Sequence, residues 1–319
     1  MAGTNVRRLT FRCPTSSWCR GVVTMAGQEI DAEVLGERRH LLSLAFRMLG
    51  TVAEAEDVVQ ETYIRWYRMS RAQRDAVEVP RAWLTRVASR VCLDVLGSAR
   101  MRRERYVGPW LPEPVPTLAF IDPKRDDPAE RATLDESVST ALLVVLESMS
   151  PAERVSFVLH DVFAVPFAEI AEVVGRTPAA CRQLASSARR RVHSAREAKV
   201  SRAAHDATVR AFAAAARAGD LAGLIAVLDP DVVLRSDGGG IVSAARHPVV
   251  GADRVARFLL GALEKNPAAE VIDQETPDGL GFALWVEGRV TGVVTMEVTR
   301  SVVTDVRMVL NPEKLTFWN

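Results

Sequence analysis

Between residues 29 and 107 apolar positions recur at three- and four-residue intervals, the period of helices with one buried face. Residues 29–50 turn Leu35, Leu41, Leu42, Leu44, Ala45 and Met48 mostly inward and close at Gly50. Thr51 then caps a second helix, in which Ala55, Val58, Val59, Thr62 and Trp66 gather on one face at 100° per residue. Glu54, Asp57, Glu61 and Arg65 gather on the opposite face, with Gln60 and Ile64 beside the acidic row. An aliphatic Ile64 next to acids is unexpected on a face that meets only water. Pro80 opens a third helix, "PRAWLTRVASRVCLDVLGSAR", whose apolar stripe is Leu84, Val87, Ala88, Val91, Cys92, Val95 and Leu96. Its other face carries Trp83, Arg86, Arg90 and Asp94, and it runs into Arg100, Arg102, Arg103 and Arg105. A basic stripe with an aromatic set into it is the footprint of a nucleic-acid contact; a buried tryptophan beside solvated arginines is the alternative.

The texture changes over 108–132, where six of the sixteen prolines fall, and a stiff, extended linker is expected there. Trp110, Leu111 and Phe120 are too apolar for a free tether, so part of it should pack on a neighbour. Helical periodicity resumes over 133–149. Ser150, Pro151 and Glu153 then form an N-cap, first position and capping box. In "FAEIAEVVGRTPAACRQLASSARRRV" the small Ala171, then Gly175, then Cys181 and Leu184 have the spacing of a helix-turn-helix. Thr177 and Pro178 start its second helix. Arg176, Ala179, Arg182, Gln183 and Ser186 would face a major groove, and Arg189, Arg190 and Arg191 would reach phosphates. A plain helical hairpin with a solvated basic tail is the competing explanation.

Residues 203–319 alternate differently. Helices are expected over 203–217, 221–228 and 252–265, and strands over 231–236, 241–246, 270–274, 281–287, 289–298 and 301–309. Two helices, a strand, a third helix and antiparallel hairpins suggest a curved sheet wrapping helices.

Composition sharpens this division. The chain has 319 residues with 48% hydrophobic content, so two or three globular domains are expected. No run of 18 apolar residues exists, and no membrane association is expected. The net charge of +1 hides an uneven split: residues 1–202 hold 30 Lys+Arg against 25 Asp+Glu, and 203–319 hold 11 against 15. The first 27 residues read as a loose extension without a secretory signal, and Met1 and Met25 are both candidate starts. Cys13, Cys19, Cys92 and Cys181 are scattered, without metal-site spacing, so neither disulfides nor a metal or cofactor is expected.

In order and spacing these segments resemble the extracytoplasmic-function sigma factors of bacterial RNA polymerase, over about residues 28–196. The resemblance implies that "AEDVVQETYIRWY" is the helix docking on the clamp helices of the polymerase largest subunit, through Asp57, Gln60, Glu61 and Ile64. It implies that Trp83, Arg86, Arg90, Arg100, Arg102 and Arg103 hold the melted −10 element. Arg176, Ala179, Arg182, Gln183, Ser186, Arg189 and Arg190 would read the −35 element, with the flap of the second-largest subunit as a further partner. Arg90 stands where many members have Asn, so their −10 base preference does not transfer.

The rest of the chain is similar to the SnoaL-like, NTF2-type cone fused to one group of these factors, on "WLPEP" (110–114), "DGGG" (237–240) and "NPEKL" (311–315). The fold class implied is two all-α DNA-binding domains plus an α+β cone. Its parts are an extension (1–27), region 2 (28–107), a Pro-rich linker (108–132), region 4 (133–202) and the regulatory cone (203–319). Trp110, Leu111, Pro112, Asp237, Gly238, Gly239, Gly240, Asn311 and Pro312 would form the interdomain regulatory set; Ile241 stands where the group often has lysine. The expected role is promoter-specific transcription initiation in the cytoplasm with polymerase core and promoter DNA as partners, the free protein being a monomer that binds promoters weakly. The cone would regulate in cis, replacing a separate anti-sigma protein. Two rivals are a one-component helix-turn-helix regulator whose cone senses a small molecule, and an isomerase or cyclase using Asp237 and His247. No enzyme activity is expected, because a shared fold does not transfer a reaction.

Overall fold

The computed structural model describes residues 32–103, 106–116, 139–196 and 200–319, without the side chains of 32–33, 99–103 and 195–196. The extension, Phe120, Cys13 and Cys19 lie outside these, as do most of the linker and residues 133–138 of the helix expected over 133–149. Residues up to Gly36 form one unit, of which the helix α1 (Ala32–Gly36) is described; Glu37–Asn319 form the other. The helix expected over 29–50 is therefore divided: α2 (Arg38–Leu49) begins beyond a turn at Glu37, where Gly36 weakens a continuous helix.

Three helices make the core of the N-terminal part: α2, α3 (Val52–Arg68) and α5 (Pro80–Arg103), with the short α4 (Arg71–Asp75) between the last two. The apolar face read for α3 is the buried one, including Ala55, Val58, Val59, Thr62 and Trp66. It meets Leu41 and Leu44 of α2 and Leu84, Ala88 and Cys92 of α5, all fully buried. His40 Nε2 lies 3.0 Å from Thr85 Oγ1, whose hydroxyl already donates to the Arg81 carbonyl. His40 therefore donates from Nε2, and Nδ1 accepts from Arg81 at 3.1 Å. Burial, with Arg81 and Arg47 nearby, holds its pKa down to about 4. A histidine whose folded pKa is depressed contributes stability above its unfolded pKa that is lost as pH falls toward the folded one. Stability should thus drop between about pH 6.5 and 4, by on the order of 2–3 kcal/mol. Urea titrations across that range should show H40Q losing much of this acid sensitivity.

The next helices are α6 (Thr140–Glu147), α7 (Pro151–Phe157), α8 (Phe167–Val174) and α9 (Pro178–Arg196). The Ser150–Glu153 capping box opens α7, which continues into an unanticipated π-helical turn over Val158–Val162. Gly175 ends α8 in the left-handed region at φ 69°, and Thr177 caps α9 by accepting from the Ala180 amide. Small residues let the two helices close: Ala171, Cys181, Ala185 and Ala188 are all buried, whereas Leu184 is only half-buried.

The C-terminal domain places α10 (Arg202–Ala218), α11 (Leu221–Val227) and α12 (Ala252–Lys265) on one sheet. Its strands are β1 (Leu228–Asp237), β2 (Val249–Val250), β3 (Glu270–Thr276), β4 (Gly279–Val286), β5 (Arg289–Thr299) and β6 (Val302–Val309). They run in the order β2-β1-β6-β5-β4-β3, with β1 parallel to β6 and every other pair antiparallel. Val209, Phe212, Leu224, Leu234, Val255, Met296 and Val306 fill the space between helices and sheet. The outer face is also covered: Ala283, Val290, Val293 and Val309 pack with Leu111, Leu315 and Trp318. Burial on both faces explains the unbroken apolar run of β4, Gly279–Val286.

The strand expected over 241–246 does not form. The amides of Ile241 and Val242 both donate to the Gly238 carbonyl, making a turn that leaves Ile241 55% exposed. A two-residue strand follows at Val249–Val250 instead.

Candidate functional site

Three exposed faces and one buried junction carry the residues of interest. On α3, Asp57 and Gln60 are exposed and Glu61 and Ile64 half-exposed; Glu61 pairs with Arg65 at 2.8 Å along the same helix. The acid-fringed face with its aliphatic residue is thus presented outward, on a helix fixed by its other side.

The α5 stripe is less free than its composition implied. Trp83 is half-buried with its ring edge-on to Trp66, 5.2 Å between centroids. Arg86 pairs with Glu172 of α8 at 3.0 Å, and Arg90 donates to the Glu172 carbonyl at 3.0 Å. The side chains of Arg100, Arg102 and Arg103 lie outside the described residues.

On the helix-turn-helix, Arg176, Ala179, Gln183 and Arg190 are exposed and Ser186 is half-buried. Arg182 lies over the Phe167 ring at 5.3 Å, and Arg189 pairs with Asp161 at 2.5 Å. Arg191 pairs with Glu153 at 3.4 Å, so three of the helix-turn-helix arginines assigned to DNA have intramolecular partners.

The junction centres on Asp237, which is fully buried at the end of β1. Its Oδ1 accepts from Tyr106 Oη at 2.6 Å and the Gly239 amide at 3.1 Å; its Oδ2 accepts from the Leu111 amide and Lys314 Nζ, both at 2.8 Å. Four donors satisfy this carboxylate. Lys314 also donates to the Leu111 carbonyl at 2.6 Å and lies 4.2 Å from the Trp110 ring centroid and 5.0 Å from that of Tyr106. Asn311 donates to Tyr106 Oη at 2.9 Å, and burial with the Asp237 carboxylate beside it pushes the phenol pKa up. Gly239 (φ 64°) fits because a Cβ there would overlap the Asn311 side chain. Gly238 is buried and Gly240, next to Val107, is exposed; Pro112 is buried and Pro312 exposed at the start of a 3-10 turn. His247 is exposed in the loop before β2 and makes no pair with Asp237.

From this junction the linker continues to α3. The Glu113 amide donates to the Gly50 carbonyl at 2.8 Å, and its carboxylate accepts from the Val52 amide at 2.7 Å and from Thr316 Oγ1 at 3.2 Å. Burial raises the Glu113 pKa, against the lowering effect of those bonds. Trp318 Nε1 donates to the Pro114 carbonyl, and Trp110 packs on Gly50. Arg154 of α7, buried and ion-paired to Glu147, donates to the Met48 carbonyl at 2.7 Å. Asp278, in the β3–β4 turn, accepts from the Thr140 and Ala141 amides and so caps α6. Tyr106, Glu113, Arg154, Asp278, Lys314, Thr316 and Trp318 were all missed as site residues. The quoted motifs "WLPEP" and "NPEKL" contained Glu113 and Lys314; nothing local marked Asp278.

Residues 34–104 match Sigma-70 region 2 and residues 139–192 match Sigma-70 region 4, which defines the class: an RNA polymerase sigma factor carrying a SnoaL-like sheet domain after region 4. Over 231 residues (72% of this chain, 71% of the relative) the chain is 48% identical to the ECF RNA polymerase sigma factor SigJ of Mycobacterium tuberculosis. It is 37% identical over 291 residues to the probable ECF RNA polymerase sigma factor SigI of that organism, covering 90% and 94%. The crystal structure of M. tuberculosis SigJ aligns at TM-score 0.67 and 37% identity over 89% of this chain and 98% of that one. The chain belongs to the extracytoplasmic-function family of RNA polymerase sigma factors.

Proposed function

We propose that α3 docks on the clamp helices of the polymerase largest subunit through Asp57, Gln60, Glu61 and Ile64, and that the flap of the second-largest subunit engages region 4. Trp83, Arg86, Arg90, Arg100, Arg102 and Arg103 then hold the separated −10 strand, as cations on phosphates with aromatic support. Arg176, Ala179, Arg182, Gln183 and Ser186 read −35 base edges, and Arg189 and Arg190 hold its phosphates. The free chain is a monomer, acts in the cytoplasm and binds promoters weakly until polymerase supplies the remaining contacts. No described helix is long and apolar enough to cross a membrane.

The sheet domain regulates these steps in cis. The observation that carries this reading is the convergence on the turn Gly50–Val52, which opens α3. At this α2–α3 corner Glu113 of the linker binds the Gly50 carbonyl and the Val52 amide and is itself held by Thr316 of the C-terminus, Trp110 packs on Gly50, and Arg154 of region 4 binds the Met48 carbonyl in the last turn of α2. A change at the junction is thereby passed to the docking helix and to the relative freedom of region 4. This reading assigns no catalytic step to Asp237, whose carboxylate accepts four structural hydrogen bonds.

Transcription in vitro with purified core enzyme tests it. Initiation at the target promoter should require both core and this chain, and R182A/Q183A should lower it about ten-fold or more, given ~1–3 kcal/mol per base-reading pair. A chain that protects its promoter tightly without core at physiological salt would instead be a one-component regulator.

A further inference from the structure

The recognition helix α9 holds its arginines in two different ways. Arg189 is ion-paired to Asp161 and Arg191 to Glu153, so some of their N–H groups are already engaged. Arg182 is exposed and, among the described residues, makes neither a hydrogen bond nor an ion pair; its guanidinium carbon lies over the Phe167 ring, 5.3 Å from the centroid. A guanidinium laid on a ring is held through its face, and its five N–H groups stay in the plane, free to donate. The ring is itself fixed. Phe167 is the first residue of α8 and only half-buried, so it is not committed to the core. His160 stacks on it with centroids 4.0 Å apart and planes 30° from parallel. The imidazole is anchored in turn by the Val165 carbonyl, which accepts from Nδ1 at 3.1 Å. His160 belongs to the π-helical turn Val158–Val162, a distortion of the kind frequent at functional sites.

We propose that Phe167 is a positioning residue for −35 recognition, a platform backed by His160 that presents the edge of the Arg182 guanidinium to a guanine in the major groove. A solvated arginine samples many rotamers, and immobilising it on DNA costs affinity. Stacking on Phe167 removes part of that freedom before DNA arrives and consumes no donor. Guanine is the matching base, because its N7 and O6 accept two N–H bonds from one guanidinium edge. Phe167 touches no base in this role and acts only through Arg182. The proposal rests on the assignment of Arg182 to −35 base edges.

The test is the affinity of the full-length chain, bound to core enzyme, for a fluorescein-labelled target promoter, followed by anisotropy, with a urea midpoint for each variant. F167L should weaken binding about two- to five-fold, the range of a cation–π contact at an exposed site. F167Y keeps the ring and should bind as wild type does. R182A should weaken binding, and F167L added to it should cost nothing more. Replacing each G·C pair of the −35 element in turn should identify one at which wild type loses affinity and R182A does not. On that template F167L should match wild type, whereas a folding defect would survive the change. F167M, which keeps bulk without a π face, repeats the comparison if F167L does not fold. If R182A binds like wild type, the assignment of Arg182 to the −35 element fails. If R182A is weakened equally on every template, Arg182 holds phosphate and the presentation to guanine is overturned. If R182A is weakened but F167L is not, or the F167L loss persists without Arg182, the positioning role is overturned and that assignment stands.

Discussion

Replacing Asp237 by asparagine should loosen the joint between linker and sheet domain more than any other single exchange of one polar group. The substitution keeps the volume but leaves Lys314, only 6% exposed, without its counter-charge. Stranding one member of a buried ion pair typically costs about 3–5 kcal/mol. Tyr106 and the Leu111 amide donate to different carboxylate oxygens, and asparagine has only one oxygen, so a buried donor loses its acceptor in addition to the electrostatic loss. Urea unfolding and limited proteolysis of the linker should both register it. K314M should cost a similar amount, and D237N/K314M less than the sum of the two, because neither charge is then left alone. A D237N chain with unchanged midpoint and protease resistance would mean that the pair is not what holds the linker. Since the same linker caps α3 through Glu113, D237N should also alter transcription output from the target promoter.

How far these features could be read from the residues depends on whether the physics is local. Helix faces were legible because burial repeats with the helical period, and the positions read inward on α3 are those the structure buries. The helix-turn-helix was legible because Gly175 must supply a positive φ and Ala171 must leave room for the second helix. Partner choice between distant segments was not. Glu172 reads as an ordinary surface acid of an amphipathic helix, yet it meets residues 82 and 86 positions earlier in the chain. Asp278 reads as a turn residue, yet it caps a helix 138 residues away. The glycine run misled in the opposite sense: Gly238–Gly240 make a turn whose apolar successors, Ile241 and Val242, look like a strand but find no ladder to join. Trp83 shares a helix face with basic residues, a pattern that fits an aromatic in a nucleic-acid surface and a buried tryptophan alike; the indole of Trp66, seventeen residues earlier, takes one side of it.

Reversing the charges of Asp57 and Glu61 should have the largest effect of all, and on association with core polymerase. Both side chains sit on the face of α3 that is not buried, and among the described residues Glu61 pairs with Arg65 on its own helix. That pair contributes about 0.3–0.5 kcal/mol, so D57K/E61K should leave the fold intact, α3 being held by Val58, Val59 and Trp66 on its other side. Close charge pairs across an interface are coupled by about 1.5–7 kcal/mol, and reversal replaces each attraction by repulsion. The variant should therefore bind purified core at least about 100-fold more weakly and initiate transcription poorly at any promoter. I64A should weaken binding too, with less change in salt dependence, because it removes apolar contact rather than charge. D75K/E78K places the same charge change on exposed positions away from the α3 face and should leave affinity within about two-fold. A folded D57K/E61K chain that still captures core enzyme would relocate the docking face. The Glu113 cap on α3 would then position a helix that polymerase does not touch, and regulation through the Gly50–Val52 turn would lose its target.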